Sequence, residues 1–214
     1  MITKGINLNK VDKMAGFSFR NGLRLHFDSI KLFKSKSYPS AFFLSVLAIE
    51  EMGKVFLISD FLFHSRIDGR MEKEWEEKYI GLIYSHTHKQ SSFAHHFEDL
   101  TATQKFFKLL YKGDFEIMKQ NSVYVGLSRN RKNVNLKSKI NNPLTINKMK
   151  AQRQITNVND CLLDFTLGII KQVYTVDSDH VENLITKKLF LSLRNEWRLI
   201  SKRTKFRLHE LEKI

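Results

Sequence analysis

The chain is poor in residues that make turns, with only 9 Gly and 2 Pro among its 214 residues. Sheet proteins need turn residues every few positions, whereas long helices need few, so this scarcity predicts an all-α fold. Cysteine is nearly absent as well. The single Cys161 excludes an internal disulfide and a cysteine-based zinc site, and it favours a reducing compartment.

Long apolar runs are also missing. The longest largely apolar stretch covers residues 41–49, which is far shorter than the ~20 residues needed to span a bilayer. The N-terminal sequence MITKGINLNK contains no apolar segment of the kind found in secretory signals. We therefore expect a cytoplasmic protein without membrane contact.

Acidic residues are absent from one long region. The formal net charge is +14, and residues 117–159 contain no Asp or Glu. The basic residues of this region are Lys119, Arg129, Arg131, Lys132, Lys137, Lys139, Lys148, Lys150 and Arg153. Such an electropositive patch attracts polyanions, so RNA, DNA or an acidic protein is the expected partner. The alternative is a general surplus of lysine that only aids solubility.

The chain does have apolar mass and helical spacing. Hydrophobic residues make up 42% of it, with 17 Phe, which is enough for a sizeable core. We expect one domain over residues 1–214, with a core at about 10–175, although the last two helices could form a separate lobe. The polar, basic segment 122–144 is predicted to be a long loop or a short hairpin. Apolar spacing and capping residues predict helices at about 11–34, 39–64, 71–97, 100–120, 146–174 and 179–213.

Charged residues interrupt the most apolar predicted helix. Glu50, Glu51 and Lys54 lie within LAIEEMGKVF, and each glutamate is about one turn from the lysine, so ion pairing is feasible. Buried charges are costly unless they are paired. We interpret the set either as an ion pair that fixes the helix register or as a functional cluster facing a cleft or a dimer interface. Gly53 in the same segment could admit another helix closely.

Histidines are concentrated in the next predicted helix, at positions 86, 88, 95 and 96. Their spacing matches no metal motif, so neither a metal nor another cofactor is predicted. His88 beside Lys89 places a titratable base next to a fixed cation. Metal-free RNA cleavage uses such groups on the ribose 2′-hydroxyl and on the charge of the phosphorane. The alternative is a solvated helix end.

Three features of the sequence occur in a set order. In the helix SYPSAFFLSVLAIEEMGK, an apolar run is followed by two glutamates and then by Gly-Lys. The step His88-Lys89 comes next, and then Tyr124-Val125 precedes a polar loop, a proline and a helix. This order resembles the AbiV-type abortive-infection proteins of the HEPN superfamily, and the likeness covers about residues 17–164.

The resemblance implies a HEPN-like helical bundle that pairs as a homodimer. It also implies a role in bacterial defence against phage, in which growth or translation stops once a phage-encoded protein trigger is sensed. Many HEPN relatives are metal-independent endoribonucleases with an Arg-x(4–6)-His motif that the dimer brings together. Others have lost the motif and only bind.

Two windows match this motif, Arg20 to His26 and Arg203 to His209. Matches are expected by chance at this composition, so neither window alone identifies a site. Positions six apart on a helix point about 120° away from each other, so a shared site needs a bend, which Gly22 would permit in the first window. We predict that Arg20 stabilises phosphate charge and that His26 or His88 acts as acid or base.

The basic loop is expected to hold RNA through Lys89, Arg129, Arg131 and Lys132, with salt-sensitive binding that is driven by backbone phosphates. Docking of an acidic protein, such as a phage-encoded trigger, is the rival use, and a solvated loop is the third interpretation.

The leading hypothesis is an antiphage effector that shuts down translation as a ribonuclease acting on RNA or the ribosome, with Glu50, Glu51 and Lys54 orienting the site. The alternative is a non-catalytic binding module that sequesters a phage protein or a ribosomal component. A four-helix metal carboxylate protein ranks last, because the sequence lacks the Glu-x-x-His pairs it would need.

Overall fold

The computed structural model describes residues 7–67, 73–97, 104–127, 129–130 and 133–214. The all-α prediction is confirmed, and the segment 122–144 contains a short hairpin with strands β1 (Arg129–Asn130) and β2 (Asn133–Val134). The helices of this part of the chain are α1 (Leu8–Lys34), α2 (Tyr38–Ile67), α3 (Lys73–Tyr84), α4 (His86–Phe97), α5 (Gln104–Tyr111), α6 (Asp114–Asn121), α7 (Lys148–Ile170), α8 (Asp179–Glu182), α9 (Lys187–Glu196) and α10 (Lys202–Lys213).

Helix α2 lies at the centre of the bundle, as its apolar composition predicts. Its side chains Val46, Ile49 and Val55 have no exposed surface. Helices α1, α4 and α7 pack around it. Phe56 shows how they meet, because its ring contacts Phe97 of α4 and Phe165 of α7 edge to face at 5.5 and 5.4 Å between centroids.

Two glycines let neighbouring helices lie close to α2. A Cβ on Gly22 of α1 would lie 2.9 Å from Cε of Met52. A Cβ on Gly53 of α2 would lie 1.8 Å from the carbonyl oxygen of Lys89 on α4. The close helix approach expected at Gly53 is therefore present, and it brings the backbone of α4 against α2.

The third and fourth predicted helices are each split in two. The prediction of one helix over 71–97 is wrong at Ser85, whose hydroxyl accepts the backbone N–H of His88 at 3.5 Å and so starts α4. The prediction of one helix over 100–120 is wrong at Gly113, whose φ of 71° lies in the left-handed region that favours glycine. Residues 68–72 and 98–103 of these predictions lie outside the described residues.

The prediction of one long C-terminal helix over 179–213 is also wrong. The segment forms three helices, α8, α9 and α10. Each of the three begins at a hydroxyl that accepts a backbone N–H three residues on, and the caps are Ser178, Thr186 and Ser201. The caps at Thr186 and Ser201 each begin a new helix within the segment. The prediction considered only the cap at the start of the segment.

Two buried aspartates of α7 connect it to the C-terminal part of the chain through hydrogen bonds. Asp160 accepts the backbone N–H of Ser201 at 3.2 Å, just before α10. Asp164 accepts the hydroxyl of Tyr174 at 3.0 Å, and that hydroxyl in turn accepts a hydrogen bond from Arg207 of α10 at 2.8 Å. Burial raises the pKa of both aspartates, and these hydrogen bonds oppose the rise. Among the helices described here, none combines the length and hydropathy required to cross a bilayer.

Candidate functional site

A buried carboxylate, Glu50, lies where α2, α4 and α6 meet. It is 2% exposed. Its Oε1 accepts hydrogen bonds from Nζ of Lys119 at 2.8 Å and from Nε2 of Gln90 at 3.0 Å. Its Oε2 lies 2.7 Å from Nδ1 of His86 and 3.9 Å from Nζ of Lys89. An isolated charge at this depth would be very costly, and these polar partners offset that cost.

Two buried lysines face this carboxylate, and one of them reaches a second acid. Burial lowers the pKa of Lys89, and the negative charge of Glu50 opposes part of that shift. Lys119 contacts both Glu50 and Glu116. Partial burial pushes the pKa of Glu116 upward, but hydrogen bonds from Lys119 and Gln120 outweigh it, and the pKa lies below its usual value.

The predicted pair Glu51 and Lys54 lies on the next turn of α2. The Lys54 ammonium donates to both carboxylate oxygens of Glu51, at 3.0 and 3.2 Å, and the two side chains are 18–19% exposed. The charges of Glu51 and Lys54 act on Lys89, as the charge of Glu50 does, so Lys89 links this pair to Glu50. We call the whole set the ionic cluster: Glu50, Glu51, Glu116, Lys54, Lys89, Lys119 and His86. Its three carboxylates balance its three ammonium groups.

His86 is the most exposed member of the ionic cluster. Its side chain is 54% exposed, whereas that of Glu50 is 3% exposed. When Nδ1 of the neutral ring carries the proton and donates a hydrogen bond to Glu50, Nε2 is free of a proton and faces outward as an acceptor. A carboxylate behind an imidazole also stabilises the protonated ring. This is the arrangement that a general base requires.

The two other residues predicted around this helix start lie differently. His88 is exposed, with Nδ1 2.8 Å from Oγ of Ser85, and the structure does not bring it to Glu50. Lys89 was predicted to hold RNA, but it is 7% exposed and faces Glu50. The ammonium of Lys89 therefore neutralises a buried carboxylate instead of facing solvent. The close packing at Gly53 places this part of α4 against α2.

The structure does not bring Arg20 and His26 together. Arg20 is exposed on α1, whereas His26 has no exposed surface and its Nε2 lies 2.9 Å from Oδ1 of Asn159 on α7. Burial lowers the pKa of His26 to about 4, against the opposing effect of the Asn159 hydrogen bond. In this monomer His26 is a neutral core histidine, and no substrate can reach it.

The remaining predicted residues are only partly described. Arg203 and His209 are both exposed on α10, so that window stays a prediction. Arg129 lies in β1, and Arg131 and Lys132 lie outside the described residues. The assignment of RNA binding to these three also stays a prediction.

Three residues of the ionic cluster have the chemistry of metal ligands. Glu50, His86 and Glu116 offer atoms that all lie within 4.8 Å of one another. Lys119, however, lies 2.8 Å from Glu50 and contacts Glu116, so its ammonium already supplies positive charge between the two carboxylates. A metal ion here would have to displace Lys119.

Four contributors to this site were not assigned to it from the sequence: His86, Gln90, Glu116 and Lys119. His86 was named only among the four clustered histidines, and Lys119 only in the basic region. One signal was available, because His86, Lys89 and Gln90 are spaced three and four residues apart and so share one face of α4. The contribution of α6 had no such signal, since it depends on how α6 packs against α2.

Comparison with known proteins identifies the family. The family model described as AbiV matches residues 10–163. The chain belongs to the AbiV family of HEPN proteins. The match contains every member of the ionic cluster and ends within α7, so the helices α8–α10 lie beyond it. Searches of curated proteins and of solved structures found no match.

Proposed function

We propose that this AbiV-type abortive-infection protein is an antiphage effector that stops translation by acting on RNA, and that His86 is its acid–base group. The observation that carries the proposal is the 2.7 Å contact between the buried carboxylate of Glu50 and the half-exposed imidazole of His86. A buried carboxylate fixes the ring and its tautomer, and it stabilises the imidazolium that forms when the ring takes a proton.

The proposed reaction is metal-independent cleavage of the RNA backbone. Nε2 of His86 takes the proton of a ribose 2′-hydroxyl, and that oxygen attacks the neighbouring phosphorus atom. The bond from phosphorus to the 5′-oxygen breaks, and this oxygen takes a proton from a second acid. His88, exposed two residues further along α4, is our candidate for that acid. The products are a 2′,3′-cyclic phosphate and a 5′-hydroxyl.

The other predicted residues take supporting roles in this proposal. The ion pair of Glu51 and Lys54 lies beside Lys89 and acts on its charge. In this proposal the pair thereby stabilises the position of α4. Arg129, Arg131 and Lys132 bind the RNA backbone, in keeping with a region that has no acidic residue over 117–159. The proposal includes a homodimer, a phage-encoded protein as trigger and a cytoplasmic location.

Translation in a lysate of phage-infected host cells tests the proposal, because such a lysate supplies the trigger. We expect the purified protein to reduce amino-acid incorporation and to cleave RNA in the presence of a metal chelator. His86→Ala should lower the cleavage rate by about 10²-fold or more, the usual contribution of an acid–base group. The matched control is His95→Ala, an exposed histidine of the same helix, which should keep full activity. Normal translation with the wild-type protein, or full activity of His86→Ala, would refute the enzymatic proposal.

A non-catalytic binding module is the second candidate. It is favoured by the charge balance of the ionic cluster, since the buried charges of Glu50 and Lys119 satisfy each other without a ligand. In that case translation inhibition would survive His86→Ala and His88→Ala together. It would be lost instead on charge reversal at Arg129, Arg131 and Lys132.

A further inference from the structure

A groove runs between α6 and the segment that follows it. Its volume is about 660 Å³, and its apolar lining comes from Ile117, Tyr124, Val125, Leu127 and Val134. Tyr124 is 59% exposed in this groove. We call it the α6 groove. Large apolar side chains exposed together in a concave site mark a binding surface rather than ordinary surface residues.

The α6 groove opens beside the proposed acid–base group. Glu116 lines the groove and also belongs to the ionic cluster. An oxygen of Glu116 and a ring nitrogen of His86 lie within 4.8 Å of each other, and the His86 side chain is half-exposed. A ligand that fills the groove therefore lies next to the imidazole from which the proposed cleavage starts.

The charge around the α6 groove suits a polyanion. Lys137 and Lys139 are exposed on the segment after β2, between two residues that line the groove. Glu116 is the one acidic residue among the lining residues that the structure describes, and Lys119 compensates its charge. A ligand with phosphate groups therefore meets net positive charge at the edge of the groove.

The α6 groove combines a stacking surface with amide groups. The exposed ring of Tyr124 offers an aromatic face, and every nucleobase has a π face that can stack on it. Three residues with side-chain amides also line the groove, namely Gln120, Asn121 and Asn141. Such amides donate to and accept from the edges of unpaired bases.

Two observations favour a nucleobase over a protein segment as the occupant. Positive charge and an apolar lining alone would also admit an acidic peptide. The groove, however, shares Glu116 with the ionic cluster and so lies beside His86, where the proposed reaction needs a nucleotide. An aromatic ring and apolar side chains accompanied by a few hydrogen-bonding groups are also the surface on which proteins hold a base that has left its stack.

We propose that the α6 groove is the base-binding subsite of the ribonuclease, and that it takes an unpaired base of single-stranded RNA stacked on Tyr124. This inference rests on the proposed function. The ribose and phosphate of that nucleotide lie towards His86, and Lys137 and Lys139 contact the phosphates that continue the strand. A base within a duplex cannot enter the groove without leaving its stack and its partner, so the subsite restricts cleavage to unpaired RNA.

Fluorescence anisotropy of the full chain with two labelled strands of equal length tests this subsite. One strand is a single-stranded RNA whose 2′-O-methyl groups prevent cleavage, and the other has the same sugars and phosphates but no bases. We expect the strand with bases to bind about tenfold more tightly or better, the usual effect of a stacked base. Tyr124→Ala should remove most of this difference, whereas Tyr124→Phe should keep it, because the phenylalanine ring stacks as well.

Two control variants separate the groove from the rest of the protein. Phe206→Ala removes an aromatic ring that is 68% exposed on α10, away from the lining residues, and it should leave the preference for bases unchanged. His86→Ala should also keep the preference, because the groove and not the imidazole holds the base. Circular dichroism verifies that each variant is folded.

Equal binding of the two strands by the wild-type protein, or a preference that survives Tyr124→Ala, would overturn the base-binding subsite. Loss of translation arrest with Tyr124→Ala, without a change in strand preference, would mean that a protein segment occupies the groove, and it would overturn the subsite too. Failure of the proposed function gives a different result. RNA cleavage would then be absent, while the preference for bases and its dependence on Tyr124 would remain.

Discussion

Glu50 is a buried carboxylate with four polar side chains around it. Its two oxygens meet side chains from α4 and α6 at distances of 2.7 to 3.9 Å, and the residue is 2% exposed. In such a site the cost of desolvation is balanced only while every partner is present. Removing the charge would leave the buried ammonium of Lys89 without the carboxylate that it faces, and it would leave Lys119 paired with Glu116.

Glu50→Gln should therefore lower the free energy of unfolding by about 3–5 kcal/mol, the usual penalty for breaking a buried ion pair. Glu51→Gln is the matched control on the same helix, because the Glu51 side chain is 19% exposed and forms its ion pair with Lys54. It should cost about 1 kcal/mol or less. Urea unfolding followed by circular dichroism measures both, and equal losses would contradict the role assigned to Glu50.

Two histidines that pack into the core, His26 and His96, predict a loss of stability in acid. Burial lowers the pKa of His26 and of His96 to about 4, from an ordinary value of 6.5. Below pH 6.5 the unfolded chain takes up protons that the folded chain refuses, so stability is fully present above that pH and is lost as the pH falls towards 4. Each histidine accounts for about 3 kcal/mol of this loss.

His96→Phe should reduce this acid sensitivity. The phenylalanine ring can keep the stacking on Phe56, where the centroids lie 3.9 Å apart, but it cannot take up a proton. The fall in unfolding free energy between pH 6.5 and 4 should shrink by about 3 kcal/mol relative to the wild type. An unchanged pH profile would show that His96 is not neutral in the folded protein.

At the scale of helices, the contact between α2 and α4 depends on one missing side chain. A Cβ on Gly53 would lie 1.8 Å from the backbone oxygen of Lys89, so any larger residue must push the helices apart. The same displacement would move His86, Lys89 and Gln90 away from Glu50, because all three residues lie on α4. The geometry of the site thus depends on helix packing.

Gly53→Ala should lower the free energy of unfolding by about 1–3 kcal/mol, although alanine is the better helix former. Gly81→Ala on α3 is the matched control, since a Cβ there would meet no described atom within 4 Å. It should raise stability by about 0.5–1 kcal/mol. Thermal unfolding distinguishes the two, and a stabilising Gly53→Ala would refute the close contact.

The two long N-terminal helices were predictable from the sequence. The predicted spans 11–34 and 39–64 correspond to Leu8–Lys34 and Tyr38–Ile67, because apolar spacing and Pro39 mark these helices locally. The breaks between α3 and α4 and between α5 and α6 each depend on a single residue, Ser85 or Gly113. One such residue is weaker evidence in a sequence than the apolar pattern on both sides of it.

The candidate site was predictable only in part. Glu50 drew attention because a charge in so apolar a helix needs a partner, but the partners lie 36 to 69 residues away in sequence. Their choice depends on tertiary packing. His26 fitted a motif by spacing alone, and spacing does not say which side of α1 faces α7. The burial of His26 is a consequence of that orientation.

For the whole molecule, charge is the dominant property. The formal net charge is +14, and the basic region 117–159 begins within α6, the helix that carries Glu116 and Lys119 of the ionic cluster. Basic surfaces that bind nucleic acid release counterions when they do so, and the RNA binding proposed for this region should therefore weaken steeply with salt.

Charge reversal at Arg129, Arg131 and Lys132 should weaken RNA binding uniformly across sequences. The slope of the logarithm of the binding constant against the logarithm of salt concentration should become shallower by about two. Fluorescence anisotropy with a labelled single-stranded RNA measures this slope. Reversal of Lys187, Lys188 and Lys202, which are exposed elsewhere, should change the slope less. Equal effects of both triple variants would mean that binding follows net charge alone.

The chemistry of the RNA ends tests the central claim most directly. In an infected-cell lysate with chelator, the wild-type protein should produce 2′,3′-cyclic phosphate and 5′-hydroxyl ends, and His86→Ala should produce almost none. The same ends at an undiminished rate with His86→Ala would contradict the claim that Glu50 prepares His86 for catalysis.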